Sequence, residues 1–261
     1  MENSEGSQMT ASIMMVTYNR LELTKQTLED LFKTTDYPFN LIIVDNGSND
    51  GTVDYLTDTL LNNKSEHLKE YNIIQNKENL GIATGRNLAL YKAIHQYNAQ
   101  WLVTIDNDVL VPNGWLSEAI EILQSCPQFA AIGVNMEGVQ YPMVTKGGKS
   151  FQEKPQGNLG TAAMIFRRSL HEMLGYFNYS DYNKFYGLED SDFGMRIRVV
   201  GFKLGYIKEN GKHLGEGNND TGAYREFKTK SHDSNIAKFN ANCRAYYNRT
   251  KSLYIGFDGS I

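Results

Sequence analysis

Four short apolar runs alternate with stretches of helical period between Ser12 and Gln124, and that alternation limits the folds open to the chain. SIMMVT (12–17), FNLIIV (39–44), NIIQN (72–76) and WLVTID (101–106) have the length and aliphatic content of strands. Between the first two, Leu21, Thr24, Leu28, Leu31 and Phe32 recur at helical spacing. Asn49 or Asp50 is placed to cap a second helix, and ATGRNLALYKAIHQY (83–97) reads as a third. Pro112 sits ahead of a fourth, WLSEAIEILQ (115–124). Strands separated by helices return in the same direction through crossovers. The expected fold class is α/β, a mostly parallel central sheet with helices on both faces.

After FAAIGV (129–134) the pattern loosens. MEGVQYPMVTKGGKSFQEKPQG (136–157) reads as a hairpin or loop, and GTAAMIFRR (160–168) as a strand running into SLHEML. EDSDFGMRIRVVG (189–201) reads as a helix stopped by Gly201, and FKLGYI (202–207) as a strand. No internal repeat, low-complexity tract or linker divides the chain, so a polar tail (1–11) is expected to precede one domain (12–261). A net charge of −4 gives no pull toward nucleic acid or acidic lipid. Cys126 and Cys243 make neither a disulfide framework nor a metal-ligand spacing, and residues 1–10 lack the pattern of a signal peptide. A cytoplasmic protein is expected, with peripheral attachment to a membrane left open. No run approaches the ~18 apolar residues of a membrane span.

Ligands of open α/β sheets bind at the carboxyl ends of strands. Three of these strands end in polar clusters: TYNR, DNGSNDG and DND. Neither G-x-G-x-x-G after the first strand nor a P-loop is present, so no glycine-rich cradle for phosphate is available. The other way to hold a diphosphate is a hard cation on carboxylates, and Asp106-Asn107-Asp108 supplies those at a strand end. A lone D-x-D is weak evidence, because surface loops produce it often.

VTYNR, IIVDNGSNDGT, NLGIATGRNLAL, IDNDV and then GTAAMIFRR, LGYF and YGLEDSDFGMRIRVVGF occur in this order. Together they resemble the inverting family 2 glycosyltransferases of GT-A fold, over about Ser12 to His213. AYYNRTKSLY (245–254) is similar to an aromatic-basic segment that many members carry near their C-terminal end. The resemblance implies one GT-A domain, with a nucleotide-binding half over about 12–134 and an acceptor-binding half over about 135–261. It implies metal-dependent transfer from a nucleotide-sugar donor, with UDP favoured, to a hydroxyl of a glycan or other acceptor, with Mn²⁺ or Mg²⁺ as cofactor.

Residue by residue, the resemblance places Tyr18 and the Thr17 backbone against the base and Asp45 at the base edge, as suits the N3–H of uracil. Arg86 is implied at the diphosphate or ribose, Asp106 at the ribose or the metal, and Asp108 as a direct metal ligand. His213, after FKLGYI, is implied as a further ligand, and imidazole suits Mn²⁺ better than Mg²⁺. Asp190 is implied as the general base that takes the acceptor proton, with Asp192 capping the helix. Acidic residues in a first turn also suit the helix dipole without any chemistry.

The chain departs from the pattern at Gly175-Tyr176-Phe177-Asn178-Tyr179, where many relatives read G-x-F-D-E, so acceptor contacts are not carried over there. KENGKHLGEGNNDTG (208–222) reads as a mobile loop that orders over the donor. Two rival readings remain: a nucleotide-sugar-binding scaffold without turnover, and a sugar-phosphate nucleotidylyltransferase. The scaffold is disfavoured by the retained Asp106, Asp108 and Asp190. The nucleotidylyltransferase is disfavoured by TYNRLEL, which has no glycine where a phosphate loop would stand.

Overall fold

The computed structural model describes residues 10–63, 65–182, 185, 187–215 and 222–260, apart from the side chains of 223–225 and 228. The first half follows the expected alternation: β1 (Ala11–Thr17), α1 (Leu21–Thr34), β2 (Phe39–Asp45), α2 (Thr52–Leu61), β3 (Leu68–Gln75), α3 (Ile82–His95), β4 (Trp101–Asp106), β5 (Val109–Leu110) and α4 (Trp115–Ser125). The second half adds β6 (Phe129–Asn135), β7 (Met143–Lys146), β8 (Lys149–Lys154), β9 (Ala163–Arg167), α5 (Arg168–Leu174), α6 (Glu189–Val199), β10 (Lys203–Asn210), β11 (Lys212–His213) and α7 (Gly222–Tyr247). Ala11, assigned to the tail on sequence, is the first residue of β1.

Nine strands form one sheet in the order β3-β2-β1-β4-β9-β6-β10-β8-β7. β3, β2, β1 and β4 are mutually parallel, as the crossovers require. β9 runs antiparallel to both its neighbours, β4 and β6. The stretch left as hairpin or loop is the antiparallel pair β7–β8, joined at Gly147-Gly148 and laid on β10.

Alternate side chains of each strand feed opposite faces. Ile13, Met15, Leu41 and Ile43 meet Leu28, Leu31, Leu56 and Trp115 of α1, α2 and α4 in one core cluster. Met14, Ile42 and Val44 meet Leu88, Leu90 and Ile197 of α3 and α6 in the other. Two-sided burial explains why these strands read as continuous apolar runs. Gly85 lets α3 lie close on β1, since a Cβ there would stand 2.9 Å from a Val16 methyl. Among the described residues no helix is long and apolar enough to cross a membrane.

Candidate active site

β2 lies on one side of β1 and β4 on the other, so the crossovers change side there and leave a crevice at the carboxyl ends. The loops at that edge are stitched together. Asp50 Oδ2 accepts from the first backbone N–H of α1, Leu21, at 3.0 Å, while its Oδ1 accepts from Thr52 N–H at the start of α2 at 3.1 Å. The N-cap position of α2 is Gly51 and not the expected Asn49 or Asp50; Asp50, one residue earlier, instead takes the first N–H of both helices. Asn19 donates its backbone N–H to Ser48 Oγ at 2.9 Å and accepts from Asn49 N–H at 2.8 Å.

The DND turn after β4 is fixed from its middle. Asn107 Nδ2 donates to Thr17 Oγ1 and Thr24 Oγ1 at 3.1 and 2.9 Å, which pins the turn to β1 and α1. The flanking carboxylates are left at the crevice. β5 pairs antiparallel with β11, with His213 opposite Val109, and Leu214 N–H donates to the Asp108 carbonyl. That two-residue ribbon carries His213 to the turn across a long sequence separation. Asp106, Asp108 and His213 each offer one ligand atom, and these atoms lie within 4.8 Å of one another. Two carboxylates and an imidazole at that spacing fit a divalent cation such as Mn²⁺.

Each carboxylate is paired with an arginine. Arg20 Nη1 lies 2.5 Å from Asp108 Oδ2. Arg86, buried on α3, donates Nη2 to Asp106 at 2.7 Å and Nη1 to Glu189 Oε1 at 2.6 Å. It thereby ties the tip of β4 to the first turn of α6. Burial pulls the Arg86 guanidinium toward neutrality, but the charges of Asp106 and Glu189 outweigh it and raise its pKa overall. Burial pushes the Glu189 carboxyl up to about 7 against the opposing pull of Arg86, and its Oε2 is buried without a hydrogen-bond partner. Asp190 faces the crevice and is partly exposed; burial raises its pKa as well, again opposed by Arg86.

These groups line a cleft of about 930 Å³, which Thr17, Tyr18, Arg86, Asp106, Asp108, Asp190 and His213 share. Tyr18 is 44% exposed, as an aromatic ring open to a ligand would be. Asp45 is not on the cleft wall. It is buried at the end of β2 beside Asn46, which is. Its Oδ2 braces the following turn through Gly47 and Ser48 N–H at 3.1 and 2.9 Å, and its Oδ1 is buried without a partner.

Asp192 does not cap α6. It is fully buried and accepts from Arg196 Nε at 2.8 Å, Tyr182 OH at 2.8 Å, Tyr246 OH at 2.9 Å and Asn178 Nδ2 at 3.3 Å. Arg196 in turn donates to the carbonyls of Leu174, Tyr176 and Leu253. The aromatic-basic segment therefore holds α6 from behind, with Lys251 bonded to Asp181. Tyr176, Phe177 and Asn178 of the departing GYFNY segment are buried packing residues. Of the expected mobile loop, 208–210 finish β10, 212–213 form β11, and 216–221 lie outside the described residues.

Sequence reasoning passed over Arg20, although it closes TYNR at the end of β1, and gave Glu189 no role. Nothing in the sequence signals Phe185, Phe227 or His232, which also line the cleft, the last two from α7.

The family model described as glycosyl transferase family 2 matches residues 12–174. No curated protein matches the chain. Among solved structures, the chain is similar to a mannosyltransferase, PcManGT from Pyrobaculum calidifontis, in complex with GDP-Man and Mn²⁺. That match has a TM-score of 0.64 and 18% identity over 92% of this chain and 64% of that one. It is also similar to TarS of S. aureus, with a TM-score of 0.59 and 20% identity over 79% of this chain and 37% of that one. A TarS structure in complex with UDP gives a TM-score of 0.57 and 20% identity over 78% of this chain and 60% of that one. The chain therefore spans less than two-thirds of the length of these proteins.

Proposed function

The chain belongs to glycosyl transferase family 2, and from that premise we propose that it moves a sugar from a UDP-sugar to an acceptor hydroxyl with inversion at the anomeric carbon. One observation carries the reading: the candidate cation ligands Asp106, Asp108 and His213 share a single cleft with Asp190. The family match ends at residue 174, so the roles of Asp190 and His213 rest on this cleft geometry and not on the match.

Asp106, Asp108 and His213 would hold the divalent cation, with Mn²⁺ favoured by the imidazole. When bound, such an ion neutralises the charge that develops on a leaving diphosphate. Tyr18 and the Thr17 backbone would lie along the base, Arg86 would meet the diphosphate or ribose, and residues 12–134 would form the nucleotide half. GDP and UDP both occur in the similar structures, so the preference for uridine rests on Asp45, whose Oδ1 is buried without a hydrogen-bond partner among the described residues and would accept from a donor such as uracil N3–H once the base is seated. Residues 135–261 would take the acceptor. Its oxygen attacks the anomeric carbon, the bond from that carbon to the diphosphate oxygen breaks with its electron pair leaving on the nucleotide, and the hydroxyl proton passes to Asp190. No covalent sugar–protein intermediate is required.

The test is a panel of UDP- and GDP-sugars mixed with the protein and Mn²⁺, with nucleoside diphosphate and pyrophosphate measured separately. Slow metal-dependent release of UDP supports the transferase. Pyrophosphate as the product would make the protein a nucleotidylyltransferase, and tight donor binding with no release under any acceptor would make it a scaffold.

A further inference from the structure

Glu189, the residue before the candidate base, bears on which sugar is moved, with the cleft taken as the transferase site proposed above. It opens α6 and is 4% exposed. Its Oε1 accepts from Arg86 Nη1 at 2.6 Å, and its Oε2 is buried with no hydrogen-bond partner among the described residues. Four other buried side-chain oxygens share that condition, on Ser12, Asp45, Thr104 and Asn158, and none of those residues lines the cleft. Glu189 does. Its acidic neighbours in the site are matched: Asp106 takes Arg86 Nη2, Asp108 takes Arg20, and Asp190 takes the Ser191 N–H. Folded chains seldom bury an acceptor without a donor, because the hydration it gives up is not replaced. A donor carried by the substrate would replace it.

The direction of displacement says which part of the substrate comes near. The acceptor oxygen and the departing diphosphate stand on opposite sides of the anomeric carbon, so the transferred sugar lies between the base and the diphosphate side of the cleft. Arg86 spans that interval, with one nitrogen on Asp106 among the candidate cation ligands and the other on Glu189, next to Asp190. The carboxylate is also held still. Arg86 is buried, and the next residue of α3, Asn87, exchanges two hydrogen bonds of 2.9 Å with the backbone of Phe177. An acceptor fixed in this way costs little further ordering when a ligand arrives.

We propose that Glu189 selects the sugar: its Oε2 accepts a hydrogen bond from a hydroxyl of the transferred unit while Oε1 stays on Arg86. An ionised carboxylate can only accept, so the position calls for an O–H or N–H. A sugar deoxygenated there would leave the oxygen unpaired beneath a bound ligand, a heavier penalty than the loss of a neutral contact.

The experiment takes whichever nucleotide-sugar the wild type turns over with Mn²⁺ in the panel above. If it turns over none, the transferase reading falls and this proposal with it. Given turnover, calorimetry with Mn²⁺ measures affinity for that nucleotide-sugar, for each form lacking one hydroxyl of the sugar ring, and for the bare nucleoside diphosphate. One deoxy form should bind the wild type roughly 10- to 100-fold more weakly, as for a lost hydrogen bond to a charged group. Glu189→Gln can keep its oxygen on Arg86 and puts an N–H donor where Oε2 stands. It should hold the nucleoside diphosphate within about 2-fold of wild type and no longer distinguish the intact sugar from that deoxy form, the coupling expected of a direct contact. A carboxylate that merely positioned Arg86 would lower affinity for the nucleoside diphosphate and the nucleotide-sugar alike, and that result would overturn the proposal. So would a wild type indifferent to every single deoxygenation, a measurement that stands even if the variant fails to fold.

Discussion

Asp190→Asn and Asp192→Asn, two residues apart on α6, should separate chemistry from stability. Asp192 and Arg196 form a fully buried pair, and the carboxylate also serves two tyrosine hydroxyls. Breaking a buried pair strands its partner's charge, at about 3–5 kcal/mol. That is a large share of the 5–15 kcal/mol typical of a domain. For a chain of this size it corresponds to a fall of roughly 6–20 °C in Tm. Asp190 should behave the other way. Its folded pKa is raised by burial, so above that pKa the ionised group weakens the fold, whereas an amide does not. Asp190→Asn should therefore be at least as stable as the wild type at neutral pH. The two should converge once pH falls below the ordinary aspartate value and both are uncharged. Transfer by Asp190→Asn should drop by ~10²–10⁴, as for loss of a general base. Urea and thermal unfolding followed by circular dichroism, beside the transfer assay, read both quantities. An Asp192→Asn loss of only ~1 kcal/mol would restore the capping role and refute the buried-hub reasoning. Normal transfer by Asp190→Asn would place the base elsewhere.

Asp108→Ala should weaken Mn²⁺ binding by more than the roughly 10–100-fold typical of losing a supporting partner, measured by titration calorimetry; unchanged affinity would remove Asp108 from the ligand set. Asp45→Asn can still accept from Gly47 and Ser48 but turns a donor toward a uracil edge. UDP affinity should fall by about 1–3 kcal/mol, and equal binding of UDP, GDP and ADP by the wild type would refute the role. Asp181 titrates at about 2, because hydrogen bonds from Asn178 and Lys251 outweigh the upward push of burial. A depressed carboxylate stabilises above its unfolded pKa, and that support is lost as pH falls through its folded pKa. Asp181→Asn should thus cost up to about 2 kcal/mol at neutral pH and little near pH 2, read from urea midpoints at both.

The first half was legible because β1, β2 and β4 are buried on both faces and alternate with helices, which fixes their parallel direction and puts the rim at their carboxyl ends. Periodicity says nothing of partners, so the antiparallel entry of β9 between β4 and β6 was invisible. α7 escaped for another reason. Its buried face is Ser231, Asn235, Asn242 and Tyr246, which leaves no apolar stripe to find. Asp106, Asp108 and Asp190 were recognisable as acidic residues at an edge, and the cleft does gather them with His213. The resemblance separated Asp190 from Asp192, but it gave Asp192 a capping role in place of its buried one. Both are first-turn aspartates, and it is Arg196 one turn on, together with the hydroxyls of Tyr182 and of the distant Tyr246, that makes one of them structural.

The position of β9 has a consequence for how the molecule comes together. β4 and β6 have no ladder between them; each pairs with β9 alone on that side. Until residues 163–167 are in place, a nascent chain holds a four-stranded ribbon whose β4 edge is unpaired, in addition to the β3 edge that stays open in the finished sheet, and a β6 with neither of its sheet partners. Exposed edges of that kind invite pairing with other chains. β9 is the seam of the protein, and amide exchange should find it among the slowest segments to open, since opening it parts the strand that carries Asp106 from the one that supports the far half. A charge placed at Ile165, buried at the middle of that seam, should favour aggregation during synthesis well beyond what the loss of one core contact predicts.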